Sequence, residues 1–268
     1  MPAKRTLLLS LLTATIGTLA HSVNADGLSV SAGIEYWQAD LTGEAQDLKS
    51  KAKNPNTKPV NFDEWRMYGQ TYKSLWLNFE HPVPLVPELR MSYTNLENYK
   101  VRNRKVVNGN FTIYYTETAS LIFDNIDATL YYHVLDDWLH LNIDAGLTAR
   151  TLNGEFDSVQ SITHDTLTVP SQSYTKLNQV VPMLYLNGRF NIPYVNGLYI
   201  QSVFNGISAQ GSTLYDADAR IGYDLDLHAL KIGLYSGYRR MVLKTSNLSN
   251  LYADASMDGW MTGLETRF

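Results

Sequence analysis

Two-residue alternation of apolar and polar side chains recurs along almost the whole chain, and it restricts the possible folds more than any other feature. In the stretch Leu251–Phe268, the residues Trp260, Leu264 and Phe268 share one parity, while glycines and charged residues occupy the other. Such alternation indicates a strand with one apolar and one polar face. About ten segments of this kind follow one another, so the sequence predicts an all-β protein.

The connections between the predicted strands alternate in length. Short turns rich in Pro, Asp, Asn and Gly are expected near 82–87, 135–138, 193–197 and 226–229. Longer, polar connections are expected near 42–70, 97–117, 153–177 and 205–213. Membrane barrels show this asymmetry, with short periplasmic turns and longer extracellular loops. The sequence therefore predicts a single antiparallel up-and-down transmembrane β-barrel of about ten strands with that arrangement.

The two parities of the strands indicate which environment each face meets. The polar parity carries many charged residues: Glu80, Arg90, Asp127, Arg189, Arg220, Lys231 and Arg239. A soluble β-sandwich, which is the alternative fold, would instead bury its apolar parity in a core. We therefore expect the apolar parity to face lipid and the charged parity to face a lumen.

Aromatic residues make up 12% of the chain, with 18 tyrosines, and such residues favour strands and bilayer interfaces. One girdle is expected near the loop ends of the strands, at Tyr36, Trp37, Tyr93, Tyr215, Tyr238 and Trp260. A second girdle is expected near the turn ends, at Phe79, Tyr132, Trp138, Tyr194, Tyr223 and Phe268. Trp76 and Tyr131 are exceptions, because they fall on the lumen parity.

The first 25 residues predict export. Lys4 and Arg5 precede an apolar run over 7–20, and Val23 and Ala25 supply the residues expected before a signal-peptidase cut. We therefore expect a cleaved signal peptide at 1–25, followed by one barrel domain at 26–268, rather than a retained N-terminal anchor. The chain has no cysteine, which excludes disulfides, a lipoprotein-type anchor and thiolate metal sites.

Charge and hydropathy limit the classes of partner. Loss of the signal peptide would remove Lys4 and Arg5 but no acidic residue, so the formal charge would change from −4 to −6. An acidic chain argues against a nucleic-acid partner, which favours a basic face. Beyond the signal peptide, no apolar run approaches the roughly 18 residues of a membrane helix.

Three internal pieces and the last residue carry a family resemblance. The pieces are Gly33–Trp37, Leu130–Asp137 and Gly237–Arg240, together with Phe268. With them, the chain resembles an uncharacterised family of proteobacterial outer-membrane β-barrel proteins over essentially the whole of 26–268. The resemblance implies an outer-membrane location, and it implies that Phe268 is part of the signal read by the barrel-assembly machinery. It supplies no catalytic or ligand-binding residues.

Hairpin geometry predicts which lumen residues face each other, because a turn fixes the register of its two strands. Centring two hairpins on their turns predicts three ion pairs: Glu80 with Arg90, Asp216 with Arg239, and Asp224 with Lys231. An unpaired charge inside a narrow barrel would be costly. We interpret these pairs as structural elements of a largely side-chain-filled lumen. The alternative is a charged constriction that selects solutes.

Other residues that suggest chemistry have simpler explanations. The segment Asp224–His228 resembles the acid and histidine pattern of omptin proteases, but it falls at a predicted periplasmic turn rather than at the extracellular rim. His133 and His140 suggest a zinc site, yet no third ligand is evident. Asp216 and Asp218 suggest an acid dyad, but nearby arginines make ion pairing the simpler expectation. The sequence therefore predicts no catalytic residue, no metal site and no cofactor.

The predicted connection at 42–70 is basic, with lysines at Lys49, Lys51, Lys53 and Lys58. It is either a solvated loop or a contact with the anionic lipopolysaccharide leaflet. Taken together, the sequence predicts a non-enzymatic, monomeric outer-membrane barrel with a structural or surface-interaction role. Its expected partners are outer-membrane lipids, lipopolysaccharide and, during biogenesis, the barrel-assembly machinery. The first alternative is a narrow pore or transporter for small solutes, and the less favoured one is an omptin-like hydrolase.

Overall fold

A computed structural model describes residues 28–55, 57–108, 111–164, 167–227 and 230–268. The predicted signal peptide and His228 lie outside these residues. The strands are β1 (Ser29–Asp47), β2 (Val60–Asn61), β3 (Gln70–Glu80), β4 (Glu88–Asn95), β5 (Glu97–Asn108), β6 (Phe111–Trp138), β7 (Leu141–His164), β8 (Leu167–Asn191), β9 (Leu198–Ala209), β10 (Ser212–Asp226), β11 (Lys231–Leu248) and β12 (Leu251–Arg267). Two short helices, α1 (Leu48–Lys53) and α2 (Phe62–Trp65), lie between β1 and β3. No helix in the described part of the chain is long and apolar enough to cross a membrane.

The strands close into an antiparallel ring. Their order follows the sequence, and β12 pairs with β1 from Arg267 opposite Ser31 to Leu251 opposite Asp47. β5 continues β4 after Leu96 and pairs with β6, while β2 is a two-residue addition to β1. The ring contains about ten strands. The prediction of an all-β, up-and-down barrel is therefore confirmed.

The two ends of the barrel differ. The lower end holds the first and last described residues, the connections at 81–87, 139–140 and 192–197, and the facing ends of β10 and β11. The upper end holds the connection at 48–69, which contains both helices and is called the lid below. The described residues of the predicted polar loops near 97–117, 153–177 and 205–213 are mostly paired strand instead.

Long hairpins explain where the loop prediction was wrong. β6 and β7 pair from Ile113 opposite His164 to Trp138 opposite Leu141, and the register shifts twice between His133 and Trp138, near the lower end. β8 pairs with β7 along its whole length but with β9 only over 184–191, so its first half rises above the neighbouring strand. Paired strands satisfy the backbone N–H and C=O groups of these polar segments, as the ladder of a sheet requires. The chain from β5 to β8 thus forms an upward extension of the barrel.

The outer surface of the lower half is apolar. The exposed side chains include Phe79, Met91, Ile126, Leu130, Leu147, Leu184, Ile200, Ile221, Leu234 and Leu264. The stretch from Trp260 to Phe268 is nine residues long, which is about the length that a tilted strand needs to cross a hydrocarbon core. Trp260 is exposed and meets Tyr238 edge to face, with ring centroids 5.6 Å apart. Higher on the outer face, the exposed residues of β1 are polar, as Gln38 and Asp40 show.

One girdle assignment was wrong. Trp37 was expected on the outside beside Tyr36, but its side chain is fully buried in the lumen, whereas Tyr36 is exposed. Adjacent residues of a strand point to opposite faces, so only one of the two can meet lipid. As expected, Trp76 and Tyr131 face the lumen and are buried.

The upper half of the lumen is filled by an apolar core. Side chains from the barrel strands, the extension and the lid form one buried cluster. The lid contributes Phe62, Trp65 and Met67, all of which are buried. Leu121, Leu152 and other residues of the extension pack in the same cluster. The upper mouth is therefore closed by hydrophobic packing.

Candidate functional site

A layer of buried charged side chains crosses the lumen beneath the apolar core. Arg150 donates two hydrogen bonds to Asp127, from Nε to Oδ1 at 2.8 Å and from Nη2 to Oδ2 at 2.7 Å. Its Nη2 also donates to Asp216 Oδ2 at 2.9 Å. The Arg150 side chain is only 2% exposed, so this two-pronged pairing takes place away from bulk water.

Arg239 continues the layer to the opposite side of the ring. Its Nε and Nη2 donate to the two carboxylate oxygens of Asp216, at 2.9 and 2.7 Å. Its Nη1 donates to Glu35 Oε1 at 2.9 Å and to Ser74 Oγ at 3.2 Å. The guanidinium carbon lies 4.8 Å from the ring centroid of Trp37, which belongs to the apolar core. The layer thus joins the lower surface of that core to the barrel wall.

This ionic layer is defined as Asp127, Arg150, Asp216, Arg239 and Glu35, and all five residues are buried. They come from β6, β7, β10, β11 and β1, so the layer bridges the ring rather than following one hairpin. Buried charges of this kind are tolerated when each has hydrogen-bonded partners of opposite sign. The layer and the apolar core together close the lumen.

The suggested acid dyad of Asp216 and Asp218 is neutralised on both sides. Asp216 lies between Arg150 and Arg239, as described above. Asp218 accepts hydrogen bonds from Arg220 Nε and Nη2, each at 2.8 Å. Two carboxylates that each face a guanidinium do not share a proton as an acid–base pair does. The arrangement therefore matches the ion-pair expectation.

Below the ionic layer, the lumen opens into a polar vestibule of about 1050 Å³. Its wall includes Asn78, Glu80, Arg90, Asp144, Arg189 and Arg267. The vestibule reaches the connection at 192–197, so it opens at the lower end of the barrel. The upper half of the lumen is therefore filled by side chains, as expected. The lower half instead encloses a space large enough for many water molecules.

Guanidinium groups in the vestibule lie on aromatic rings. Arg189 lies 3.6 Å from the ring centroid of Tyr199, and Arg90 lies 4.5 Å from that of Trp76. Each ring also covers a glycine on the next strand: a side chain at Gly222 would clash with Tyr199, and one at Gly33 would clash with Trp76. Glycine thus lets the ring lie flat against the wall, and the ring then orients the guanidinium by a cation–π contact.

The structure brings together one of the three predicted ion pairs. Asp216 meets Arg239, although the residue directly opposite Arg239 is Asp218. In the predicted Glu80–Arg90 pair, Arg90 instead lies opposite Asn78, and Glu80 accepts a hydrogen bond from the Tyr131 hydroxyl at 3.3 Å. The prediction of a Glu80–Arg90 pair was therefore wrong.

The predicted Asp224–Lys231 pair was also wrong. Lys231 lies opposite Asp226, at 3.6 Å, and Asp224 binds Arg189 across the lumen at 2.6 Å. Both incorrect hairpin registers are displaced by two residues from the true pairing. A shift of two preserves the side chain's face but changes its partner, because side chains alternate with a period of two.

Two histidines, His133 and His140, suggested a zinc site in the sequence. His133 Nδ1 lies 2.7 Å from Asp144 Oδ1, and Asn187 holds the other oxygen of that carboxylate at 2.7 Å. His140 lies in the turn after β6. Among the described residues, no group of three or more metal-binding side chains occurs. Asp224, from the omptin-like segment, lies at the lower end and is held by Arg189, as noted above.

A carboxylate clamp fastens the lid to the opposite wall. Asp47 caps α1 and accepts hydrogen bonds from the Lys49 and Ser50 amides at 3.0 and 3.1 Å. It also accepts one from Thr175 Oγ1 of β8 at 2.6 Å. Burial by itself would raise the pKa of Asp47, but the hydrogen bonds from Ser50, Thr175 and the backbone outweigh it, and the pKa lies below its usual value.

Arg150 and Glu35 are the site residues that the sequence interpretation missed. Arg150 continues the polar parity of Asp144 and Thr148, but it lies just before the loop that the sequence predicts near 153–177. Glu35 alternates with the apolar residues Ile34 and Tyr36, but its partner Arg239 is 204 residues away in the sequence. Following the polar parity past Thr148 would have found Arg150. No local signal identifies the partner of Glu35.

No protein-family model matches the sequence, and no curated protein matches it significantly. Similar solved structures include the outer membrane protease OmpT from Escherichia coli, with 11% identity over 93% of this chain and 99% of that chain, and a TM-score of 0.44. They also include Ail, the attachment invasion locus protein of Yersinia pestis, with 10% identity over 91% and 100% of the two chains and a TM-score of 0.32. A FadL homologue of Pseudomonas aeruginosa has 10% identity over 91% and 90% of the two chains and a TM-score of 0.34. Likenesses this distant assign no role to any residue.

Proposed function

We propose that this protein is an integral outer-membrane β-barrel with a closed lumen and a structural or surface-interaction role. The observation that carries the proposal is the ionic layer with the apolar core above it, which leaves the vestibule open only at the lower end. The protein acts as a membrane-anchored platform rather than as a pore. Its short lower connections correspond to periplasmic turns, and the lid and the extension then lie outside the cell.

The outer surface supports the membrane location. The lower half exposes a belt of apolar side chains around the ring, and a soluble protein rarely exposes so large a contiguous patch. Aromatic residues such as Tyr238 and Trp260 border the belt above, and Phe79 and Tyr223 border it below. The chain is inserted across the bilayer through this belt, with its upper half in the aqueous phase.

A bilayer recording tests the closed lumen. Folded protein, reconstituted in a planar membrane, should give no steady ion conductance, with a general diffusion porin as the positive control. The variant Arg239→Ala removes the central cation of the ionic layer and should still conduct little, because the apolar core remains above it. Steady conductance of the unaltered protein would contradict the proposal and favour the second candidate, a narrow solute pathway. The observation that supports this second candidate is the vestibule, which leaves the lower half of the lumen open.

The surface role draws on the lid. Lys49, Lys51, Lys53 and Lys58 are all exposed on or next to α1 at the upper end. A cluster of exposed cations of this kind binds anionic surfaces in a salt-dependent manner. We expect the four-fold Lys→Gln variant to lose association with lipopolysaccharide in a low-salt pull-down. The control is Lys231→Gln at the lower end, which should bind lipopolysaccharide as the unaltered protein does. Equal binding of lipopolysaccharide by both variants would contradict a role of the lid lysines.

The proposed role is not enzymatic. The carboxylates that most resemble a catalytic pair, Asp216 and Asp218, are held by Arg150, Arg239 and Arg220. Asp144 and His133 lie at hydrogen-bond distance in the vestibule, but no nucleophile is placed against them in the described contacts.

The expected assembly role of Phe268 stays a prediction. Deletion of that residue should lower the yield of heat-modifiable barrel, and a normal yield would contradict it.

A further inference from the structure

A row of polar side chains runs across four neighbouring strands on the vestibule wall. The strand registers place Arg267 opposite Ser31, Ser31 opposite Asn78, and Asn78 opposite Arg90. Arg90 Nη1 donates to Asn78 Oδ1 at 3.0 Å, and Arg267 Nε donates to Ser31 Oγ at 3.3 Å. Three strand spacings separate the two arginines, which is roughly 14 Å along the sheet.

Neither arginine of this row has a carboxylate partner among the described residues. Arg90 has only the amide oxygen of Asn78 and the ring of Trp76, and Arg267 has only the Ser31 hydroxyl. Elsewhere in the lumen, the buried guanidiniums of Arg150, Arg220 and Arg239 each bind an aspartate. The row therefore offers two cations whose remaining N–H groups face the vestibule, and planar guanidinium groups bind carboxylates with two parallel hydrogen bonds.

An unpaired anion lies beside the row. Glu80 follows Asn78 by two residues on β3, so it shares the lumen face, and it lies on the diagonal from Arg90. Its one hydrogen bond in the described structure comes from the Tyr131 hydroxyl, and no ion pair with a cation forms. Glu80 can therefore accept hydrogen bonds from an ammonium group in the vestibule.

We propose that the vestibule binds a short zwitterionic peptide that enters from the lower, periplasmic end. The peptide carboxylate binds Arg90, and its ammonium group binds Glu80. The polar wall, which includes Asn142 and Asn187, hydrogen-bonds the peptide groups in between. The volume of about 1050 Å³ is at the upper end of the usual range for small-molecule sites and accommodates several residues.

Charge balance favours a zwitterion over a simple anion. The wall carries acidic groups such as Asp144, Asp224 and Glu265 together with its cations, so its overall field is mixed rather than positive. A free phosphate would gain the arginines but would meet these carboxylates as well. A peptide with both end charges complements both signs, which is the general basis of electrostatic specificity.

Binding of trialanine to the purified barrel in detergent micelles tests the proposal. Isothermal titration should show saturable binding of trialanine, and both N-acetyl-trialanine and trialanine amide should bind about tenfold more weakly. Arg90→Gln should weaken trialanine about tenfold yet leave trialanine amide unchanged, and Glu80→Gln should do the same for the N-acetyl peptide. Lys244→Gln on the upper outer surface is the matched control and should not alter binding.

Several outcomes would overturn this site. They are no binding of trialanine at millimolar concentration, equal binding of the capped peptides, and tighter binding of inorganic phosphate or maltotriose than of trialanine. The heat-modifiable mobility of each variant reports that it has folded, so that loss of binding is not confused with loss of the barrel. The titration is also independent of conductance. A conducting barrel would contradict the proposed function and leave this result intact.

Discussion

The two halves of the barrel are built on the same strands but distribute their side chains in opposite ways. In β1, the lower half turns Ser31 inward and Ile34 outward, whereas the upper half turns Leu41 inward and Asp40 outward. The lower half is thus polar inside and apolar outside, and the upper half is the reverse. The ionic layer lies at the boundary between them.

The comparison shows that a strand's two-residue period and its environment are separate properties. Parity decides only that two neighbours face opposite sides, and the surroundings decide which side is apolar. In β1 the change of phase falls at the adjacent aromatics Tyr36 and Trp37, the first of which faces outward and the second inward. The lower half follows the pattern of a membrane barrel, and the upper half follows that of a soluble one with a dry core.

The largest effect is expected at the boundary. Arg150→Met would leave the carboxylates of Asp127 and Asp216 short of a cation in a site that water does not reach. Removal of one partner from a buried ion pair costs about 3–5 kcal/mol, so the unfolding midpoint in urea should fall steeply. Lys244→Met, which removes an exposed pair with Asp254, should cost less than about 1 kcal/mol. Similar losses for the two variants would contradict a dry ionic layer.

Next in size is a change in the upper core. Phe62 of α2 belongs to the lid and is fully buried in the upper core. Phe62→Ala should destabilise the folded protein by about 3 kcal/mol, at the low end for a buried phenylalanine, because the lid is a connection that can partly collapse. Urea unfolding measures the loss. The matched control is Phe79→Ala on the outer face of the lower half. In micelles, a larger decrease in stability for Phe79→Ala than for Phe62→Ala would contradict the view that the upper half holds the packed core.

A pH dependence is expected at the lid. Folding lowers the pKa of Asp47, so its carboxylate stabilises the clamp fully above the ordinary carboxyl range and progressively less as the pH falls below about 4. The protection factors of the lid amides, which are exchange rates corrected for the intrinsic effect of pH, should therefore fall at acidic pH, by a contribution of about 1–2 kcal/mol. In Asp47→Asn the lid should exchange faster at neutral pH and lose this pH dependence. An unchanged acid response in that variant would assign the effect to another group.

The smallest effect is expected in the vestibule. Asn187 donates to Asp144 at 2.7 Å and accepts from Gln201 at 2.8 Å, in a space that solvent reaches. Asn187→Ala should change stability by about 1 kcal/mol or less, because water replaces the lost hydrogen bonds. Urea unfolding beside Arg150→Met gives the contrast directly. A loss as large as that of Arg150→Met would show that the vestibule is as dry as the layer above it.

The errors of the sequence interpretation lie in the upper half, where the apolar side chains change from the outer face of the strands to the inner face. The described residues of the predicted loops near 97–117 and 153–177 are mostly strands of the upper extension, whose outer faces are largely polar, although some tyrosines and valines are exposed there. Those strands have apolar side chains such as Leu121 and Phe156 facing inward, toward the upper core. The sequence interpretation recognised a barrel strand by an apolar outer face. Segments with polar outward-facing residues were therefore predicted to be loops. The same assumption placed Trp37 outside.

By itself, the sequence determined the strands, the lower turns and the parity that separates lumen from exterior, because these depend on neighbouring residues and a local period of two. Tertiary structure decided which residues meet. Two hairpins were displaced by two residues, which kept Glu80 and Lys231 on their faces but changed their partners. The bond from Arg239 to Glu35 requires the ring to close, and the vestibule exists only once ten strands surround it. Ring closure is a property of the whole chain, and no local pattern encodes it.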